Sequence, residues 1–157
     1  MKSLEMKIPP LLLLCLFMVL AGLVAAFSPS AGQHLFADSA QNAGALVLAG
    51  VGVYFALQGV RQFKKANTTI NPIHAEKTST LVTTGVYSRT RNPMYLGFVL
   101  VLAAWCLALG VMQSLWVLPV FALYLNELQI KPEERILRSK YPQEFSDYCS
   151  QVGRWWS

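Results

Sequence analysis

The chain has 157 residues, 54% of them hydrophobic and only 13% charged, with a formal net charge of +5. Soluble domains carry roughly a quarter of their residues as charges, so this composition excludes an ordinary water-soluble globule. Cys15, Cys106 and Cys149 form no convincing disulfide pair, and neither they nor His34 and His74 show metal-site spacing, so no metal is expected.

The first apolar block is residues 8–27, "IPPLLLLCLFMVLAGLVAAF", with no charge inside it. About 20 apolar residues cross a bilayer, so the block reads as a membrane helix. Lys2 and Lys7 before it and "AAFS" at its end also fit a cleavable signal peptide. Its length, and the membrane segments that follow, favour a retained helix. Cys15 lacks the small residue before it that a lipoprotein site requires. Residues 43–60, "AGALVLAGVGVYFALQGV", form the second block. Residues 93–109 and 111–125 are shorter, meet at Gly110, and predict a tight helical hairpin whose arms are short for a full crossing.

All thirteen Lys and Arg residues fall in three places. Lys2 and Lys7 are at the N-terminus. Arg61, Lys64, Lys65, Lys77, Arg89 and Arg91 lie between the second and third blocks. Lys131, Arg135, Arg138, Lys140 and Arg154 are in the tail. The 28–42 loop has none. Positive residues stay cytoplasmic, so four segments with both termini inside satisfy the rule, in a bacterial inner membrane. The net charge then reflects topology and contact with anionic lipid, and calls for no nucleic acid.

The loop over residues 62–92 and the tail over residues 127–157 therefore share one side of the membrane. The loop closes with "STLVTTGVYSRTRNP", in which Gly85 supplies a turn. Asn92 is a natural N-cap with Pro93 at the first helical position. Such a helix mouth leaves free N–H groups and a positive dipole end, which favour an anionic or acceptor-rich ligand. Tyr87, Arg89, Arg91 and Tyr95 crowd the same stretch. In the tail, Pro132 opens a helix with Glu133 and Glu134 in its first turn. Stabilising a helix start accounts for one carboxylate and leaves the second available. Ile136, Leu137, Tyr141, Phe145 and Tyr148 recur at helical spacing, and Pro142 breaks or restarts the helix. This stripe predicts an interfacial helix, with Trp155 and Trp156 as headgroup anchors.

These residues carry a family resemblance. "LVTTGVYSRTRNPMYLG", followed by "PEERIL" and the spaced tyrosines of the tail, resembles the membrane methyltransferases that include isoprenylcysteine carboxyl methyltransferases and phospholipid N-methyltransferases. It covers residues 62–156. The resemblance implies S-adenosylmethionine as methyl donor, with Ser79, Thr80, Leu81, Val82 and Tyr87 lining it from the loop. Asn92, Pro93, Met94 and Tyr95 would line it from the helix mouth. Glu133, Glu134 or both would bind its polar groups, and Gly97 would let helix backbones pack closely. Asn92 stands where the family has histidine and cannot take up a proton. Gln129 stands near the arginine that eukaryotic prenylcysteine enzymes use for the acceptor's carboxylate, which weakens the case for that acceptor.

The expected fold is all-α and polytopic. It has about four transmembrane helices, a short C-terminal helical hairpin and an amphipathic interfacial tail helix. Residues 1–61 form the N-terminal helix pair and residues 62–157 the methyltransferase core. The expected partners are membrane lipids and a lipophilic or lipidated methyl acceptor, taking the methyl on a carboxylate oxygen or an amine nitrogen. An amine must first lose a proton, and Glu134, Tyr87 and Tyr95 are the candidate bases. Two rival readings are a small transporter and a non-catalytic membrane adaptor. The first lacks the ionisable residue that transporters hide within a membrane segment, since Glu127 comes only at the end of the fourth block. The second leaves the paired motifs idle.

Overall fold

The computed structural model describes residues 6, 8–29, 39–66 and 80–157, and all regular structure among them is helical. Helix α1 is Pro10–Ala26, α2 is Ser39–Lys65 and α3 is Pro93–Leu109. A 3-10 turn, Met112–Trp116, leads into α4, Val117–Leu125. A wide π-turn, Asn126–Ile130, then joins α4 to α5, Lys131–Lys140, without a break in helical backbone. Helix α6 is Pro142–Gln151, opened by the proline that ends α5.

Helix α3 is the centre of the assembly. It stops at Gly110, whose φ of +67° is the left-handed cap that glycine adopts without strain. Ser114 closes the hairpin by donating from Oγ to the Val111 carbonyl at 2.7 Å. On one side of α3, α1 packs through Leu13, Phe17 and Ala21 against Leu102 and Phe121, with the Phe17 and Phe121 rings 5.0 Å apart. The Trp105 indole N–H donates to the Met18 carbonyl at 2.9 Å and fixes that contact.

On the other side, α2 approaches α3 at backbone distance. A Cβ added to Gly97 would stand 2.5 Å from the Gly52 carbonyl oxygen, so only glycine fits the crossing. Where lipid replaces water no hydrophobic force presses helices together, and close packing of small residues does that work. Gly97 thus has the close-packing place expected of it.

Only α2 is both long and apolar enough to cross a membrane among the described residues; α1 and α3 are shorter apolar helices of 17 residues each. Seventeen residues of helix reach about 26 Å, slightly less than a bilayer's hydrocarbon core of about 30 Å. Leu12, Leu16, Val19 and Leu23 on α1, and Leu46, Val47 and Leu57 on α2, are exposed. An apolar surface of that extent marks a membrane or a partner.

The tail differs from its expected form. Its apolar stripe does not lie open on one helix. Phe145, Tyr148 and Val152 are buried and pack with Leu81, Leu137 and Tyr141, because the α5–α6 corner folds the stripe back onto the loop. Trp155 packs on the main core, and exposed Trp156 stands edge-to-face with Phe55 of α2, their ring centroids 6.0 Å apart.

Candidate active site

A cavity of about 370 Å³ opens where the start of α1, the end of α2, the 80–87 segment, the mouth of α3, α5 and α6 converge. Pro9, Pro10, Leu11, Val60, Phe63, Met94 and Phe98 form its apolar wall. Tyr87, Asn92, Tyr95, Glu133 and Tyr148 supply its polar groups. Thr80, Leu81, Val82 and Glu134 also reach it, so nine sequence-predicted residues share one space.

Two of the expected residues are placed differently. Ser79 lies outside the described residues. Pro93 is fully buried and does not line the cavity; its ring faces Gly59 of α2, where an added Cβ would meet it at 3.4 Å. Pro93 and Gly97 are four apart and so share the face of α3 that seals against α2. Met94, Tyr95 and Phe98 take the cavity side.

Asn92 holds the N-cap position, yet its side chain makes no cap hydrogen bond. Its amide donates from Nδ2 to the Arg154 carbonyl at 3.0 Å, and its backbone N–H donates to Thr90 Oγ1 at 3.1 Å. Arg91 N–H donates to the Gly153 carbonyl at 3.1 Å, and Ser157 N–H to the Arg89 carbonyl at 3.0 Å. The last residues of the chain thus strap the mouth of α3 in place. Tyr148 adds a bond from its hydroxyl to the Tyr87 carbonyl at 2.6 Å, and the Tyr87 ring rests edge-on against Phe63 at 5.4 Å.

Adjacent glutamates in α5 meet opposite surroundings. Glu134 Oε1 accepts from Arg91 Nη2 at 2.9 Å, and its Oε2 accepts from Arg154 Nη2 at 2.6 Å. Burial alone would raise this carboxyl, but the hydrogen bonds and charges of Arg154 and Arg91 outweigh it and hold the group below its ordinary value. Among the described residues Glu133 has no cationic partner. It accepts from the Tyr95 hydroxyl at 2.5 Å, and the surface it keeps belongs to the cavity wall. Burial pushes its carboxyl up to about 7, against the Tyr95 hydrogen bond and with the help of the Glu134 charge.

These surroundings reorder the candidate bases. Glu134 is committed to two arginines. Burial, then the nearby Tyr148 and Glu133, push the Tyr87 phenol well above its ordinary value, so it stays a neutral donor. Tyr95 spends its proton on Glu133. Glu133, with its carboxyl raised toward neutrality and no arginine holding it, is the member of the pair left open to the cavity.

A family model described as phospholipid methyltransferase matches residues 40–144. The chain belongs to the phospholipid methyltransferase family. That is a family of membrane methyltransferases, in keeping with the apolar α2. An uncharacterized protein of Haemophilus influenzae is 40% identical over 62 residues, which cover 40% of this chain and 98% of that protein. No solved structure matches the chain.

Within this family member, sequence reasoning missed several wall residues. Pro9, Pro10 and Leu11 come from the first helix, and Val60 and Phe63 from the second, so the N-terminal pair shares the core's cavity. Arg154 was read only as a tail charge. An arginine such as Arg91 inside an apolar helix mouth needs an anion, and a second glutamate beyond what helix capping uses was the available signal.

Proposed function

We propose that this protein is an S-adenosylmethionine-dependent methyltransferase acting on a lipophilic acceptor at the cytoplasmic face of a bacterial inner membrane. In this reading α1, α2 and the α3–α4 hairpin sit in the bilayer with both termini inside. The observation that carries it is the cavity, which joins the loop, the helix mouth and the glutamate pair across 43 positions of chain, as the Arg91–Glu134 contact measures.

The wall suits this cofactor. Its volume falls within the roughly 300–1,000 Å³ of small-molecule sites. Phe63, Tyr87, Tyr95 and Phe98 offer ring faces, which attract a cation and stack on a planar base. When bound, the cofactor supplies a methyl group on a positively charged sulfur. Thr80, Tyr87 and Asn92 would hold its polar groups, and Glu133 would face its charge. The apolar wall at Pro10, Leu11, Val60 and Met94 excludes water and receives the acceptor's hydrocarbon.

Arg91 is the only cation among the described lining residues, and Glu134 occupies it. An acceptor carboxylate would find no free counter-charge among these residues, which favours an amine. Glu133 would take the ammonium proton, a role worth about 10²–10⁴-fold in rate.

Calorimetry on the detergent-solubilised protein tests the donor site with S-adenosylmethionine and its demethylated product. Binding of both is expected, and Tyr95→Ala is expected to weaken it while the protein still inserts in membranes. No heat and no thermal shift with either ligand would overturn the reading. Radiolabelled methyl transfer into a total lipid extract then identifies the acceptor.

A further inference from the structure

Arg154 lies beyond residue 144, where the family match ends. Its side chain nevertheless reaches two helical elements of the core. Nη2 donates to Glu134 Oε2 at 2.6 Å and Nε to Oε1 at 3.1 Å, while Nη1 donates to Asn126 Oδ1 in the π-turn at 3.0 Å. Its backbone carbonyl accepts from Asn92 Nδ2 at 3.0 Å and from Thr90 Oγ1 at 3.3 Å. One residue therefore ties the mouth of α3, the π-turn and the first turn of α5 together.

The π-turn gives that tie its meaning. One residue inserted in a helix turns everything beyond it by roughly 100°. Which glutamate meets the arginines, and which is left to Tyr95 and the cavity, is thus set between Asn126 and Glu134, the two side chains that the Arg154 guanidinium grips. A planar fork with several donors holds such a geometry, where an ammonium would not.

We propose that Arg154 is a positioning residue: from the C-terminal segment it clamps Glu134 and the π-turn, so that Glu133 of the pair is presented to the cavity. This rests on the proposed methyltransferase reading for its purpose, though not for its geometry. Among the described residues, the side chains facing Glu133 are Tyr95 from α3, Tyr87 from the loop and its neighbour Glu134, with Tyr148 of α6 and Arg91 on the same wall. The starts of α1 and the end of α2 bring only apolar groups to it. Arg154 bonds to Glu134 and not to Glu133, so altering it reaches Glu133 through the freed Glu134 charge and through space.

The test uses the full-length protein with isotope-labelled glutamate carboxyls, whose titration is followed by NMR, with Glu133→Gln identifying the Glu133 signal. Arg154→Gln leaves Glu134 with one arginine, and its less balanced charge should raise the Glu133 midpoint by about one pH unit. The double variant Glu134→Gln with Arg154→Gln removes the pair and keeps Arg91, so the midpoint should fall below that of the wild type. A wild-type or lower midpoint in Arg154→Gln overturns the proposal. If that single variant does not fold, a midpoint at or above wild type in the double variant overturns it equally. Parallel calorimetry with S-adenosylmethionine separates the two readings: absent binding by the wild type counts against the methyltransferase, and leaves the midpoints to judge Arg154.

Discussion

The two faces of the first turn of α5 carry the same side chain and do opposite work. On one face Glu134 is enclosed by Arg91 and Arg154 and bonded through both oxygens. On the other, Glu133 meets a tyrosine hydroxyl and an open cavity. Successive helix residues point about 100° apart, which is enough to put one carboxylate in a salt-bridge network and its neighbour on a cavity wall. The pair shows that a motif of two acids need not be two copies of one function. One holds the protein together so that the other can stay unbalanced.

The largest effect should come from the clamped face. Glu134→Gln leaves Arg91 and Arg154, whose side chains are only 12% and 31% exposed, without their counter-charge. Breaking a buried pair in this way costs about 3 kcal/mol, read as a lower denaturation midpoint in detergent. The pH dependence follows from the lowered carboxyl. Its stabilisation is present above the ordinary value near 4.5 and is lost as pH falls through the folded-state value. A variant as stable as wild type would mean the clamp holds nothing.

Glu133→Gln should act with the opposite sign. A carboxyl raised to about 7 binds its proton more tightly in the folded state than in the unfolded one, where its value is near 4.5. Stability therefore falls as pH rises between those values. At pH 8 the glutamine variant should exceed wild type by roughly 2 kcal/mol, allowing for screening at the cavity surface. At pH 4.5 the two should melt together. Thermal unfolding at both pH values decides, and a variant less stable at pH 8 would erase the contrast between the faces. Loss of methyl transfer alongside that gain is the trade expected at a working site.

Much of this was readable in the sequence, and the unread part has a common cause. Periodicity and punctuation located the elements: Asn92-Pro93 starts α3, Gly110 ends it, and Pro142 divides the tail. The motif order also gathered Thr80, Tyr87, Tyr95 and the glutamates around one cavity. What the chain does not spell out is rotation about a helix axis. The π-turn at Asn126–Ile130 leaves no local composition signal, yet it sets which glutamate meets the arginines. The same limit hid Pro93, whose face of α3 was decided by the Gly52–Gly97 crossing. Arg154 and the cavity walls from α1 and α2 are long-range contacts, and spacing along a chain carries no information about them.

The smallest effect belongs to Tyr95→Phe, which touches one face only. The substitution removes a hydroxyl and keeps the ring, so the edge-on contact with Phe98 at 6.4 Å remains. The cost in stability should be about 1 kcal/mol, the net value of one hydrogen bond. That bond favours the ionised form of Glu133, so its loss should move the Glu133 midpoint above 7. In a rate–pH profile the acid limb then shifts to higher pH, while activity at pH 9 recovers to nearly that of the wild type. Acid denaturation below the ordinary carboxylate value, where the lowered Glu134 titrates, should show no new pH dependence, because no bond from Tyr95 reaches the clamp. A loss of activity uniform across pH would instead assign Tyr95 to binding the ligand directly, and Glu133 would then need another explanation for its place on the wall.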